Sequence, residues 1–195
     1  MNISAGMGLN YYLMENLNDY LSYNWGFNNR KDDFNGAVDF FGSIGFDLSQ
    51  NYSIDLDLSY SINSFNKAIG AGTYEFAYSL LMPALVIIHH LMQNGYRISI
   101  GAGGGYYFAN VSERIPSSFS LGDFSSGGFG LIAKVDGISA ISTSLFILIN
   151  LNARYTSLSD VSNDAQSLVI NKTNKENLNL SFTSFGLRLG MRYVF

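Results

Sequence analysis

Charged side chains in this chain recur at alternate positions within otherwise apolar segments, the spacing that puts them all on one side of a strand. Asp39, Asp47, Asp55, Asp57, Glu75 and Asp136 fall on such a face, as do Arg97, Lys134, Arg154, Arg188 and Arg192. Acids and bases in near balance on one face have two uses: they neutralise one another as a paired network, or they form a ring that selects ions. His89 and His90 are a second candidate, because imidazole is the commonest acid–base group and metal ligand. Adjacent strand residues point to opposite sides, so the two rings do not address one site. His89 with an inward hydroxyl such as Ser99 is the conceivable nucleophile pair, and no motif accompanies it. No catalytic residue, metal site or cofactor is therefore expected. Cysteine is absent, which removes thiolate chemistry, disulfides and cysteine-based metal sites.

The elements that must carry these residues are eight alternating segments, separated by gaps that are in turn long and short. Asn2 to Leu13 sends Ile3, Met7 and Leu9 to one side and Ser4, Gly6, Gly8, Asn10 and Tyr12 to the other. Gly36 to Leu48, Tyr52 to Phe65, Thr73 to His90, Tyr96 to Ala109, Gly127 to Asp136 and Ser142 to Tyr155 follow, and Phe185 to Phe195 closes the chain. In the closing segment Phe185, Leu187, Leu189, Met191, Tyr193 and Phe195 alternate with Gly186, Arg188, Gly190 and Arg192. Short turns are expected at Ser49-Gln50-Asn51, at Gln93-Asn94-Gly95, where Asn-Gly is a strong hairpin signal, and around Gly137. Longer loops are expected at Met14 to Asn35, Asn66 to Gly72, Asn110 to Ser126, which holds Pro116, and Thr156 to Asn179. Strands with a lipid-compatible face and a charged face, joined by turns short on one side and long on the other, predict an all-β, eight-stranded antiparallel up-and-down transmembrane β-barrel over residues 1–195 as one domain. Lipid admits no open sheet edge, so the first and last strands must pair. Tyr52, Tyr74, Tyr96, Phe108, Tyr155, Tyr193 and Phe195 would form the interfacial girdles.

Composition agrees. The 195 residues are 47% hydrophobic and 13% charged, against about 25% charged in soluble domains. The mean hydropathy of +0.11 is mild because half of each strand faces a polar interior. The net charge of −4 comes without a basic cluster, which argues against a nucleic-acid partner. Met1 is followed directly by Asn-Ile-Ser-Ala-Gly, with no apolar leader, and the chain is expected to be a mature form with a replacement initiator.

An eight-stranded barrel is barely wide enough for side chains to fill, so the charges should plug it. Matching heights by counting from the strand ends pairs Arg192 with Asp47 or Asp55 and Arg188 with Asp57, with Gly6 and Gly8 leaving room. Inward glycines at 101, 103, 105, 128, 130, 186 and 190 allow two readings: they relieve crowding at barrel bends, or they free space for a small apolar pocket lined by Tyr12, Phe41, Leu81, Tyr107, Ile132 and Phe146. Pro83 lacks an N–H, so a bulge or ladder gap is expected there.

Leu81-Met-Pro-Ala-Leu85 and Tyr96-Arg-Ile-Ser-Ile-Gly-Ala-Gly-Gly-Gly-Tyr-Tyr-Phe108 resemble the Pro-centred strand and the following Gly-rich strand of the outer membrane protein W family of small eight-stranded barrels. The closing strand resembles the C-terminal signal that the barrel-insertion machinery reads. The resemblance implies the bacterial outer membrane, lipid and lipopolysaccharide as surroundings, a monomer, and a narrow channel or binding site for small hydrophobic molecules with a sideways exit near Pro83. The alternative is a sealed-lumen structural or adhesion-type surface protein acting through its loops.

Overall fold

The computed structural model describes residues 1–25, 35–69, 72–93, 96–114, 122–163, 166–171 and 176–195. The Asn94-Gly95 turn, the loop around Pro116 and residues 26–34, 164–165 and 172–175 of the loops at 14–35 and 156–179 lie outside them. Eight long antiparallel strands close on themselves: β1 (Asn2–Leu13), β2 (Gly36–Asp47), β3 (Tyr52–Ile69), β4 (Gly72–Gln93), β5 (Tyr96–Arg114), β6 (Gly122–Ala140), β7 (Leu145–Leu158) and β10 (Phe182–Val194). Two short strands, β8 (Val169–Asn171) and β9 (Glu176–Asn177), pair within the last loop. Closure is made by β1 and β10, paired from Asn2↔Val194 to Leu13↔Thr183, so neither end strand keeps a free edge along this ladder. No described helix is long and apolar enough to cross a membrane.

The outward faces carry the lipid signature. On β3 they run Tyr52, Ile54, Leu56, Leu58, Tyr60, Ile62 and then switch to Ser64. Tyr52 to Ile62 rises about 34 Å along the strand and about 26 Å across the bilayer at a tilt of about 40°, close to the height of a transmembrane apolar band. The same switch falls at Ser79, Asn110, Ser125 and Ser157 on the later strands. Exposed Tyr52, Tyr193 and Phe195 ring the end with tight turns, and Tyr11, Phe40, Tyr60, Phe108, Phe129 and Tyr155 ring the other.

β3 to β6 are longer than their sequence-derived segments and rise above the band as two hairpins. Polarity inverts there: the inner face becomes apolar and the outer face polar. This inversion corrects β4, whose residues alternate in the phase opposite to expectation. Tyr74, Phe76, Tyr78, Leu80, Met82 and His90 are buried inward, so Leu81, Glu75 and His89 face outward and Tyr74 is no girdle residue. From Leu80 to Ile88 β4 is apolar on both faces, and its outward polar cues Glu75 and Ser79 lie above the lipid, where outside means water. The ladder between β4 and β5 is interrupted from Met82 to Ala84, as Pro83 requires.

The loop after β1 contains a helix in place of the irregular segment expected there, α1 (Glu15–Trp25). Its cues are present: Glu15 in the first turn suits the helix dipole, and Leu17, Tyr20 and Leu21 at i, i+3, i+4 make a buried stripe. α1 packs on β8, and Leu168, Ile170, Leu178 and Leu180 of the last loop are buried in the same apolar cluster. At the end opposite the tight turns, the described parts of these loops thus fill the mouth of the barrel.

Candidate functional site

The lumen is built in tiers. Midway across the membrane, the row Arg188↔Gly8↔Asp39 runs over β10, β1 and β2. Because Gly8 has no side chain, the Arg188 stem lies across it; a Cβ there would come within 2.8 Å of Arg188 Cγ. Arg188 Nε donates to Asp39 Oδ2 and Nη2 donates to Ser59 Oγ, while Nη1 stands 3.6 Å from Asp57. Arg154 Nη2 reaches Ser59 Oγ at 2.7 Å and Asp57 Oδ1 at 3.3 Å. Tyr12 OH donates to Ser61 Oγ, which donates to Asp39 Oδ1, both at 2.7 Å. Below, Lys134 Nζ sits 3.4 Å from Asp55, 3.6 Å from Asp57 and 3.9 Å from Asp136. Arg192 donates from Nε to Ser4 Oγ at 2.9 Å and from Nη2 to Asp136 Oδ2 at 3.1 Å. Four cations thus face four carboxylates in a layer where Arg154 and Arg188 are fully buried.

Several pairings differ from those expected. Arg192 meets Asp136 rather than Asp47 or Asp55, and Arg188 binds Asp39 more closely than Asp57. Counting heights from the turns ignores the stagger of a barrel: Arg192 lies in the row of Ser4 and Ser43, well above Asp47. Asp47 is exposed at the rim, where it accepts from the amino group of Met1 at 3.3 Å. Arg97 stands apart from the network near the same end, its Nε buried without a hydrogen-bond partner. Glu75 pairs outside with Arg114 at 3.2 Å.

The six apolar pocket candidates do not converge. Tyr12, Tyr107 and Ile132 belong to the large upper cluster; Phe41 joins a small lower one with Ile138 and Leu148, with Phe146 against it. Leu81 is on the lipid face. The glycines between them are occupied by neighbours: a Cβ at Gly6 or Gly190 would come within 2.8 Å of the Phe41 ring, and the Arg188 guanidinium lies 5.0 Å from that ring's centre. Gly130 likewise gives its space to the Tyr107 ring. The crowding-relief reading fits these positions.

His90, not His89, is the inward imidazole, with Nδ1 2.8 Å from Ser99 Oγ. Its Nε2 is buried without a hydrogen-bond partner, so no carboxylate orients it as a catalytic base would need. His89 lies outside against Tyr52, ring centres 4.8 Å apart.

Sequence reasoning missed the upper clamp. Glu113 is buried on the inner face of β5, and Tyr20 OH of α1 stands 2.9 Å from both its carboxylate oxygens, with Tyr74 OH 2.6 Å from Oε1. Its signal in the sequence is an acid that continues the alternate-residue row of Ala109 and Val111 beyond the expected end of the strand at Ala109. A hydrogen bond to a charged group contributes about 1.5–3 kcal/mol, so Tyr20→Phe is expected to loosen α1. Limited proteolysis within Glu15–Trp25 should accelerate while the barrel keeps its heat-modifiable migration; unchanged cleavage would remove the clamp from the account.

Solved structures match this architecture over nearly its whole length. Neisserial surface protein A aligns with a TM-score of 0.58 at 13% identity, covering 100% of this chain and 96% of that one. The fold is that of a small bacterial outer-membrane β-barrel. Ail of Yersinia pestis, solved with the heparin analogue sucrose octasulfate, aligns with a TM-score of 0.61 at 11% identity over 98% of this chain and 97% of its own. A major outer membrane protein of Thermus thermophilus gives 0.59 at 14%, over 100% and 99%. No family model matches the sequence, and no curated protein does. An outer-membrane barrel places the tight turns toward the periplasm and the loop-filled mouth outside.

Proposed function

We propose that this protein is an outer-membrane barrel whose lumen is sealed and which works through its extracellular surface, as a monomer held in lipid and lipopolysaccharide and delivered by the insertion machinery through its closing strand. The observation that carries this reading is the double closure: a charge-paired layer in the membrane and an apolar, helix-capped mouth above it. With Lys134, Arg154, Arg188 and Arg192 set against Asp39, Asp55, Asp57 and Asp136, the layer carries no charge in excess to attract a passing ion.

The conduit for small apolar molecules finds less support. Its six lining candidates are divided among the two clusters and the lipid face, and the ladder gap at Pro83 is backed by buried Met82, Ala84 and Tyr107. Planar-bilayer recording tests the reading. The native chain should give no conductance steps, and the double variant Tyr20→Phe, Lys134→Ala should give them. Steps from the native chain would support the conduit instead.

A further inference from the structure

At the outer aromatic girdle and above it, the outer wall of the barrel is concave. A groove of about 940 Å³ crosses the outer faces of β1 to β6. Its floor is one continuous register row, Leu9↔Val38↔Ile62↔Ser79↔Asn110↔Ser125, which runs across six strands. The row above it is made of small residues, among them Gly36, Ser64, Ala77 and Ser112. At the β6 end the groove is bounded by Ser162, which exchanges backbone hydrogen bonds of 2.9 and 3.1 Å with Ser125.

The chemistry of this groove is graded. Leu9, Val38 and Ile62 continue the lipid-facing band without a break, whereas Ser79, Asn110 and Ser125, farther along the same row, offer hydroxyls and an amide where the strand tilt carries the row out of the band. Among the described residues no cation lines it, and Asp123 would repel a phosphate. An occupant must therefore be continuous with the bilayer, apolar at one end, and rich in neutral hydrogen-bonding groups at the other. We propose that this groove seats the sugar headgroup of an outer-leaflet glycolipid, with its acyl root against Leu9, Val38 and Ile62 and its hydroxyls on Ser79, Asn110 and Ser125. The inference rests on the outer-membrane placement of the proposed function and not on the sealed lumen, so conductance recordings leave it untouched.

The chain has no cysteine, so a single environment-sensitive label is unambiguous. Ser79→Cys reports from the groove, and Ser157→Cys reports from just above Tyr155 on the wall without the groove. Each labelled protein is placed in nanodiscs of phosphatidylcholine alone, with phosphatidylglycerol, with rough lipopolysaccharide, and with the same lipopolysaccharide dephosphorylated. The expected result is a blue shift at Ser79→Cys with both lipopolysaccharides, larger than at Ser157→Cys and absent with phosphatidylglycerol. Asn110→Trp, which fills the groove beside Ser79, should abolish the difference; if that variant does not insert, the two labels decide alone. Equal shifts at the two positions would overturn the proposal, and so would a shift that needs the phosphates.

Discussion

Arg188→Met is expected to destabilise the barrel by about 3–5 kcal/mol, because it leaves Asp39 charged and without its cation in a site closed to water. The ion pair itself is weak evidence for stability, since two charges taken from water regain little more than their desolvation. Breaking it is different: the survivors keep the penalty and lose the compensation. Arg188 is fully buried and supports Asp39, Ser59 and Asp57 together, so its loss should exceed that of any exposed ion pair, such as Arg114 with Glu75. Adding Asp39→Asn should recover part of the loss, giving a coupling well outside the additive range. Urea unfolding in lipid vesicles measures both. A loss below about 1 kcal/mol for the single variant would mean that water already reaches this layer.

Leu58→Arg tests the opposite wall. Leu58 is outward, opposite Pro83 and between Leu56 and Tyr60, near the middle of the apolar band. A charge at the midplane of the lipid face costs roughly 2–4 kcal/mol, so insertion efficiency and stability should both fall. Arg at Ser64, beyond the outer girdle on the same face, should be tolerated. If the two substitutions behave alike, the height assigned to the lipid band is wrong.

The membrane-embedded part of this fold was legible because two solvents act on one strand. Lipid outside and a charged lumen inside force the period of two that β1, β3 and the closing strand display, and Asp39, Asp55, Asp57, Asp136, Lys134, Arg154, Arg188 and Arg192 fall inward as expected. Where one of the solvents is missing, the signal fails. β4 meets lipid outside and apolar side chains inside, so its phase is set by packing across the barrel, which a single strand does not encode. Above the bilayer the polarity reverses, which is why β3 to β6 were assigned too short and Glu113 was passed over. Partner choice within the network failed for another reason: Arg192 reaches Asp136 through barrel stagger, a property of closure that no one strand carries. The helix α1 was present in the spacing of Leu17, Tyr20 and Leu21 but was hidden in a segment rich in Asn.

The central claim is that the lumen is closed to water-borne molecules from both ends, and thiol accessibility tests it most directly. Ser184 is fully buried on the inner face of β10, between the charge layer and the capped mouth, and Ser49 is exposed in a tight turn at the opposite end. In an otherwise cysteine-free chain, Ser184→Cys and Ser49→Cys are each exposed to a small charged thiol reagent in lipid bilayers. The expected result is complete modification of Ser49→Cys while Ser184→Cys stays unmodified until the barrel is unfolded; modification of both at similar rates would contradict the sealed lumen.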